Sequence, residues 1–161
     1  MIFLSLKTEF EDKFGDGYTL KRCRQNQCAL KNVSVDKYFI IDGDSIKSPG
    51  DKSVDCIIVD LEQNEENTYR IILCELTKGE KDIKDAIKRF QSSGKLIIKY
   101  LDEINKVICK FDCLFLGNIT RNGKPIDKKV LILKKFRISG YDKNNLIINK
   151  NCGYDIDELQ S

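Results

Sequence analysis

Two carboxylates stand where apolar strands would ordinarily exclude them. The stretch Val54–Leu101 reads VDCIIVDLEQNEENTYRIILCELTKGEKDIKDAIKRFQSSGKLIIKYL. Asp55 sits at the mouth of the first apolar run. Glu75 lies near the end of the second, Arg70-Ile-Ile-Leu-Cys-Glu-Leu. Burying an unpaired charge is costly, and two carboxylates on adjacent strands are most simply kept because they share a cation. Magnesium takes hard oxygen ligands. Asp55, Glu75 and the Leu76 carbonyl could supply three of them, with Lys78 as a nearby ammonium. The chemistry such a group suits is metal-assisted hydrolysis of a phosphodiester.

The elements that must position these residues follow from periodicity. Tyr38–Ile41 is a predicted strand. Ser53–Leu61 and Tyr69–Leu76 form a predicted antiparallel pair around a polar loop, and their near-continuous apolar runs suit strands buried on both faces. Ile83, Ile87, Phe90, Gly94, Ile97, Leu101 and Ile104 recur at alternating steps of four and three, which predicts one long helix over 82–105. Phe111–Gly117 is a further strand, parallel to the second strand of the pair because a helical crossover precedes it. Val130–Leu133 is also a predicted strand, with Phe136–Ser139 as an extension, and Asn145–Asn149 closes the sheet. Residues 4–14 form a short leading helix. The fold class is therefore α/β, one domain over 1–161, with a mixed central sheet flanked by helices.

Asp55, Glu75, Lys78 and Gln91, in the order strand, loop, strand, helix, resemble the PD-(D/E)XK nuclease superfamily, the restriction-endonuclease-like proteins. The resemblance covers about 38–117. It implies a restriction-endonuclease-like fold and a Mg²⁺- or Mn²⁺-dependent nuclease, with defence and repair as implied roles. Asp55, Glu75 and Lys78 would be catalytic, and Asp55, Glu75 and Leu76 would hold the metal. It also implies accessory roles for Glu9 or Glu11 on the leading helix and for Gln91 on the long one. The chain departs from the family at the lysine. Acidic-x-Lys is usual, whereas here the order is Glu75-Leu76-Thr77-Lys78. Strand side chains alternate, so Thr77 shares the face of Glu75, and Lys78 reaches it only if the strand bulges or ends, which Gly79 would permit. Otherwise Lys88 or Lys95 must supply the ammonium, or the site is inactive. The last case is the alternative function: an inactive nuclease-fold protein that binds nucleic acid or another protein.

The remaining composition narrows the classes. The chain has no histidine, which excludes Ser-His and Cys-His catalysis and the His-based zinc hydrolases. No Gly-rich phosphate loop is present. Residues 117–150 carry nine Lys or Arg against two Asp, in a chain of formal net charge +3. Such an excess suits a polyanion, with Lys124, Lys128, Lys129, Lys134 and Lys135 as nucleic-acid contacts; the resemblance implies DNA rather than RNA. A homodimer or a protein partner is compatible with the chain, and a membrane is not expected. Seven cysteines, an odd count, occur without a secretion signal. This argues for a cytoplasmic protein with no disulfide framework, in which Cys56 and Cys74 are small core residues.

Overall fold

A computed structural model describes residues 2–62 and 64–159. The order is α1 (Ile2–Phe14), β1 (Thr19–Leu20), β2 (Cys23–Gln25), β3 (Cys28–Leu30), β4 (Tyr38–Asp42), α2 (Gly43–Ile46), β5 (Cys56–Asp60), β6 (Thr68–Asp82), α3 (Ile83–Glu103), β7 (Val107–Arg121), β8 (Lys124–Pro125), α4 (Lys128–Leu131), β9 (Phe136–Arg137), β10 (Asn144–Asn145) and β11 (Ile147–Lys150). The main sheet runs β1-β4-β5-β6-β7-β11, with β8 paired to β7. It is mixed: β4–β5 and β5–β6 are antiparallel, while β6–β7 and β7–β11 are parallel. The class is α/β with few helices, and the expected hairpin and parallel crossover are both present.

Alternation along the strands divides the core in two. Ile57, Val59, Ile71, Leu73, Phe111, Cys113 and Phe115 pack with Leu6, Phe10, Phe90 and Ile97 of the two long helices. Ile58, Ile72, Cys74, Leu76, Leu114 and Leu116 face the other way, under Cys23, Cys28, Leu30 and Ile156. Both faces are thus covered, which is why the strands read as unbroken apolar runs. The long helices share one face, however. The other is covered by the β2–β3 hairpin and a C-terminal 3₁₀ turn (Ile156–Glu158), so the sheet is not flanked by helices on both sides.

Two expectations are corrected. Val130–Leu133 is not a strand. Asp127 caps a single helical turn by accepting from the Lys129 amide at 2.8 Å, and Ile132 and Leu133 continue it as turns. A capping Asp ahead of two lysines favours the turn locally, and among the described residues no strand edge pairs with these residues. Cysteines 23 and 56, and 28 and 152, form disulfides, with Cα–Cα distances of 5.9 and 4.8 Å. The hairpin lies flat on the second sheet face and brings together residues far apart in sequence, so the odd count was a poor guide. Cys74, Cys109 and Cys113 are free. Among the described residues no helix is long and apolar enough to cross a membrane.

Candidate active site

Asp55 and Glu75 come together, and the register explains how. Cys56 pairs with Cys74 across β5–β6. One further step sets Asp55 opposite Glu75, on the face beneath α3. Asp55 Oδ2 accepts from the Leu76 amide at 2.7 Å, and the Asp55 carbonyl accepts from the Gly43 amide at 3.1 Å. The segment ahead of Asp55 is held by the helix. Ser93 Oγ accepts from the Val54 amide at 3.0 Å and lies 2.9 Å from Ser53 Oγ, while Arg89 Nη1 donates to the Ser53 carbonyl at 3.0 Å.

Like charges directly opposite across strands repel, and Glu75 is 0% exposed. Two cations meet it. Lys81 Nζ lies 2.6 Å and Arg89 Nε 3.2 Å from Glu75 Oε2. Arg89 is held in turn by Asp85, at 3.0 Å one helical turn before it. Glu75 Oε1 is buried and has no hydrogen-bond partner among the described residues. Burial first, then the neighbouring Asp55 carboxylate, pushes the Glu75 pKa up to about 8, against the downward pull of Lys81.

The ammonium is therefore Lys81, and not Lys78, Lys88 or Lys95, all three of which are exposed. The expected bulge exists. Leu76 pairs with Leu116 and Glu80 with Asn118, so Thr77, Lys78 and Gly79 together oppose Gly117 alone. Lys78 sits on the outside of this bulge. Two extra residues leave the alternation unchanged, so Lys81 keeps the face of Glu75 while the bulge draws it closer along the strand. Gly117 makes room: at φ 127° an added Cβ would fall 2.3 Å from the Thr77 carbonyl oxygen.

Other nominated residues lie elsewhere. Glu9 receives the Tyr100 hydroxyl on its carbonyl, and its charge acts on Tyr69 and Tyr100. Tyr69 is six residues along β6 from Glu75, roughly 20 Å at strand rise. Glu11 is exposed on α1, and Thr77 is half-buried in the bulge. Gln91 Nε2 donates to the Arg137 carbonyl at 3.0 Å, tying α3 to β9. Leu76 contributes its amide to Asp55. Lys124, Lys128, Lys129 and Lys135 are exposed and Lys134 half-exposed, around β8 and α4. The backbone just ahead of this stretch is tied to β6, since Ile119 pairs with Lys81 and the Asn122 amide donates to Asp82 Oδ1 at 3.2 Å.

Lys81 and Arg89 were missed, although both left a signal. Residues 75 and 81 share strand parity, and Asp85–Arg89 is an i,i+4 acid–base pair. Among the described residues no group of three or more His, Cys, Asp or Glu side chains converges as a metal site. Compared with family models, curated proteins and solved structures, the chain matches none.

Proposed function

We propose that the protein is a metal-dependent nuclease of restriction-endonuclease-like fold, hydrolysing phosphodiester bonds of nucleic acid, with DNA favoured. The observation that carries this is the pairing of Asp55 with a fully buried Glu75, one oxygen of which has no hydrogen-bond partner among the described residues while the other meets an ammonium. A divalent cation fits this donor set: the oxygens are hard, two like charges oppose each other, and the buried Oε1 accepts no hydrogen bond among the described residues. Asp55 and Glu75 would hold Mg²⁺ or Mn²⁺, with the Leu76 carbonyl as a third oxygen. When bound, the ion supplies Lewis-acid polarisation of a phosphate oxygen and a water of lowered pKa.

The chain's own residues do the rest. Lys81 donates to a phosphate oxygen and offsets the charge that develops in the transition state. Arg89 fixes the Glu75 carboxylate and, through the Ser53 carbonyl, the approach of Asp55. The antiparallel β4–β5–β6 unit, the α3 crossover and the parallel β7 support the restriction-endonuclease-like reading.

Incubation with plasmid and single-stranded substrates, with and without Mg²⁺ or Mn²⁺, tests this. Metal-dependent cutting, abolished by Asp55→Asn and by Glu75→Gln with the fold intact, is the expected result. A second reading, an inactive nuclease-fold module that binds nucleic acid or protein, is favoured by the side-chain count: two carboxylates converge, without a third, and two cations already neutralise Glu75. It predicts binding without cleavage under every metal condition.

A further inference from the structure

Large apolar side chains seldom stand in solvent side by side without a purpose. Ile132 is 60% and Leu133 76% exposed, and Val130 beside them is also exposed. They lie in the run Lys128-Lys129-Val130-Leu131-Ile132-Leu133-Lys134-Lys135, four apolar residues between two lysine pairs. Among the described residues none of these four lysines enters a salt bridge. The turn is firmly held. Leu131 is buried, the Ile132, Leu133 and Lys134 amides donate to the Lys128, Val130 and Leu131 carbonyls at 3.2, 3.1 and 3.0 Å, and Phe136 stacks on Phe90 of α3 at 6.1 Å. The turn is also joined to the strand that pairs with β6. Ile119, the partner of Lys81, accepts from the Ile126 amide at 3.3 Å, directly before the turn begins.

We propose that Ile132 and Leu133 form an apolar wedge that enters a base step of duplex nucleic acid, with the flanking lysine pairs on the phosphates to either side. The wedge rests on the nucleic-acid reading of the neighbouring site and names how that substrate is gripped. Two adjacent apolar side chains on a rigid turn are enough to unstack one base step, which is how minor-groove wedges work. A membrane surface instead asks for the long apolar face of an amphipathic helix, and a single turn offers none. Four lysines that enter no salt bridge among the described residues supply the counterion-releasing contacts that hold the duplex against the wedge.

The test uses the full chain and a short duplex carrying 2-aminopurine, in chelator, where no cutting intervenes. The chain has no tryptophan to interfere with the signal. The parent should raise 2-aminopurine fluorescence on binding. Ile132→Ser with Leu133→Ser changes only exposed side chains. This double variant should lose the fluorescence rise and bind roughly tenfold more weakly, with an unchanged salt slope. Replacing the four lysines by Gln should instead make the slope of log K against log salt shallower by about 3 to 4. A double variant that unstacks and binds like the parent overturns the wedge, and so does a parent that binds no duplex. The wedge is also overturned if the double substitution abolishes binding to phosphatidylserine vesicles while leaving duplex binding untouched. Cleavage with Mg²⁺ is read separately. A parent that unstacks but never cuts keeps the wedge and loses the nuclease; one that cuts, with fluorescence unchanged in the double variant, keeps the nuclease and loses the wedge.

Discussion

Glu75 carries the largest electrostatic load of any single side chain in the candidate site. Its pKa in the folded protein, raised to about 8 by burial and by Asp55, lies above that of the unfolded chain. The folded state therefore binds the proton more tightly, and the stability this contributes is fully present below about pH 4.5 and lost as pH rises toward 8. In chelator, urea midpoints should fall between about pH 5 and 8, and Glu75→Gln should remove that fall. Added Mg²⁺ should flatten it too, because a cation favours the ionised form. A midpoint independent of pH in the parent would contradict the burial argument. The lysine is decided at this scale as well. Lys81→Ala should cut cleavage by at least about a hundredfold, as loss of one preorganised charge-stabilising donor does elsewhere, whereas Lys78→Ala should be nearly silent because Lys78 stands in solvent. Initial rates on plasmid substrate compare the two directly.

At the scale of elements, the bulge in β6 delivers the ammonium. Three residues against Gly117 take up strand length without changing parity, and the turn back toward Glu75 depends on backbone that only glycine accommodates there. Gly117→Ala would put a Cβ 2.3 Å from the Thr77 carbonyl oxygen at a positive φ. It should cost about 1–3 kcal/mol, seen as a lower denaturation midpoint, and should lower cleavage beyond what the remaining folded fraction explains. Full activity at full stability would mean that the bulge does not set the site. The helix α3 is a second positioning device. Its Ser93 and Arg89 hold residues 53–55, so the helix aligns one carboxylate while its Arg89 clamps the other.

Across the whole molecule, two disulfides fasten the β2–β3 hairpin to the sheet, one at Cys56 beside Asp55 and one at Cys152 near the C-terminal turn. The second closes a sequence separation of 124 residues. Cross-links over long loops restrict the unfolded chain, and Cys152→Ser should cost about 2–4 kcal/mol. The loss should appear in guanidinium unfolding under non-reducing conditions and vanish when the parent is reduced. Equal stability of parent and variant in oxidising buffer would show that this bond does not form.

The sequence by itself determined what depends on local periodicity. Apolar runs of strand length, a helix with a four-three stripe, and carboxylates at Asp55 and Glu75 were legible because burial on both faces of the sheet leaves its mark on each successive residue. Even the bulge near Gly79 could be anticipated. Only the tertiary structure decided which lysine answers Glu75, because several lysines lie within reach and the choice turns on how many residues oppose Gly117. Local hydrophobicity misread Val130–Leu133 as a strand: a run of four apolar residues is equally compatible with a turn that anchors one and exposes the others. The cysteine pairs were invisible for the same physical reason. Contacts between residues 33 and 124 positions apart are set by how the hairpin folds over the sheet, and no local pattern records that.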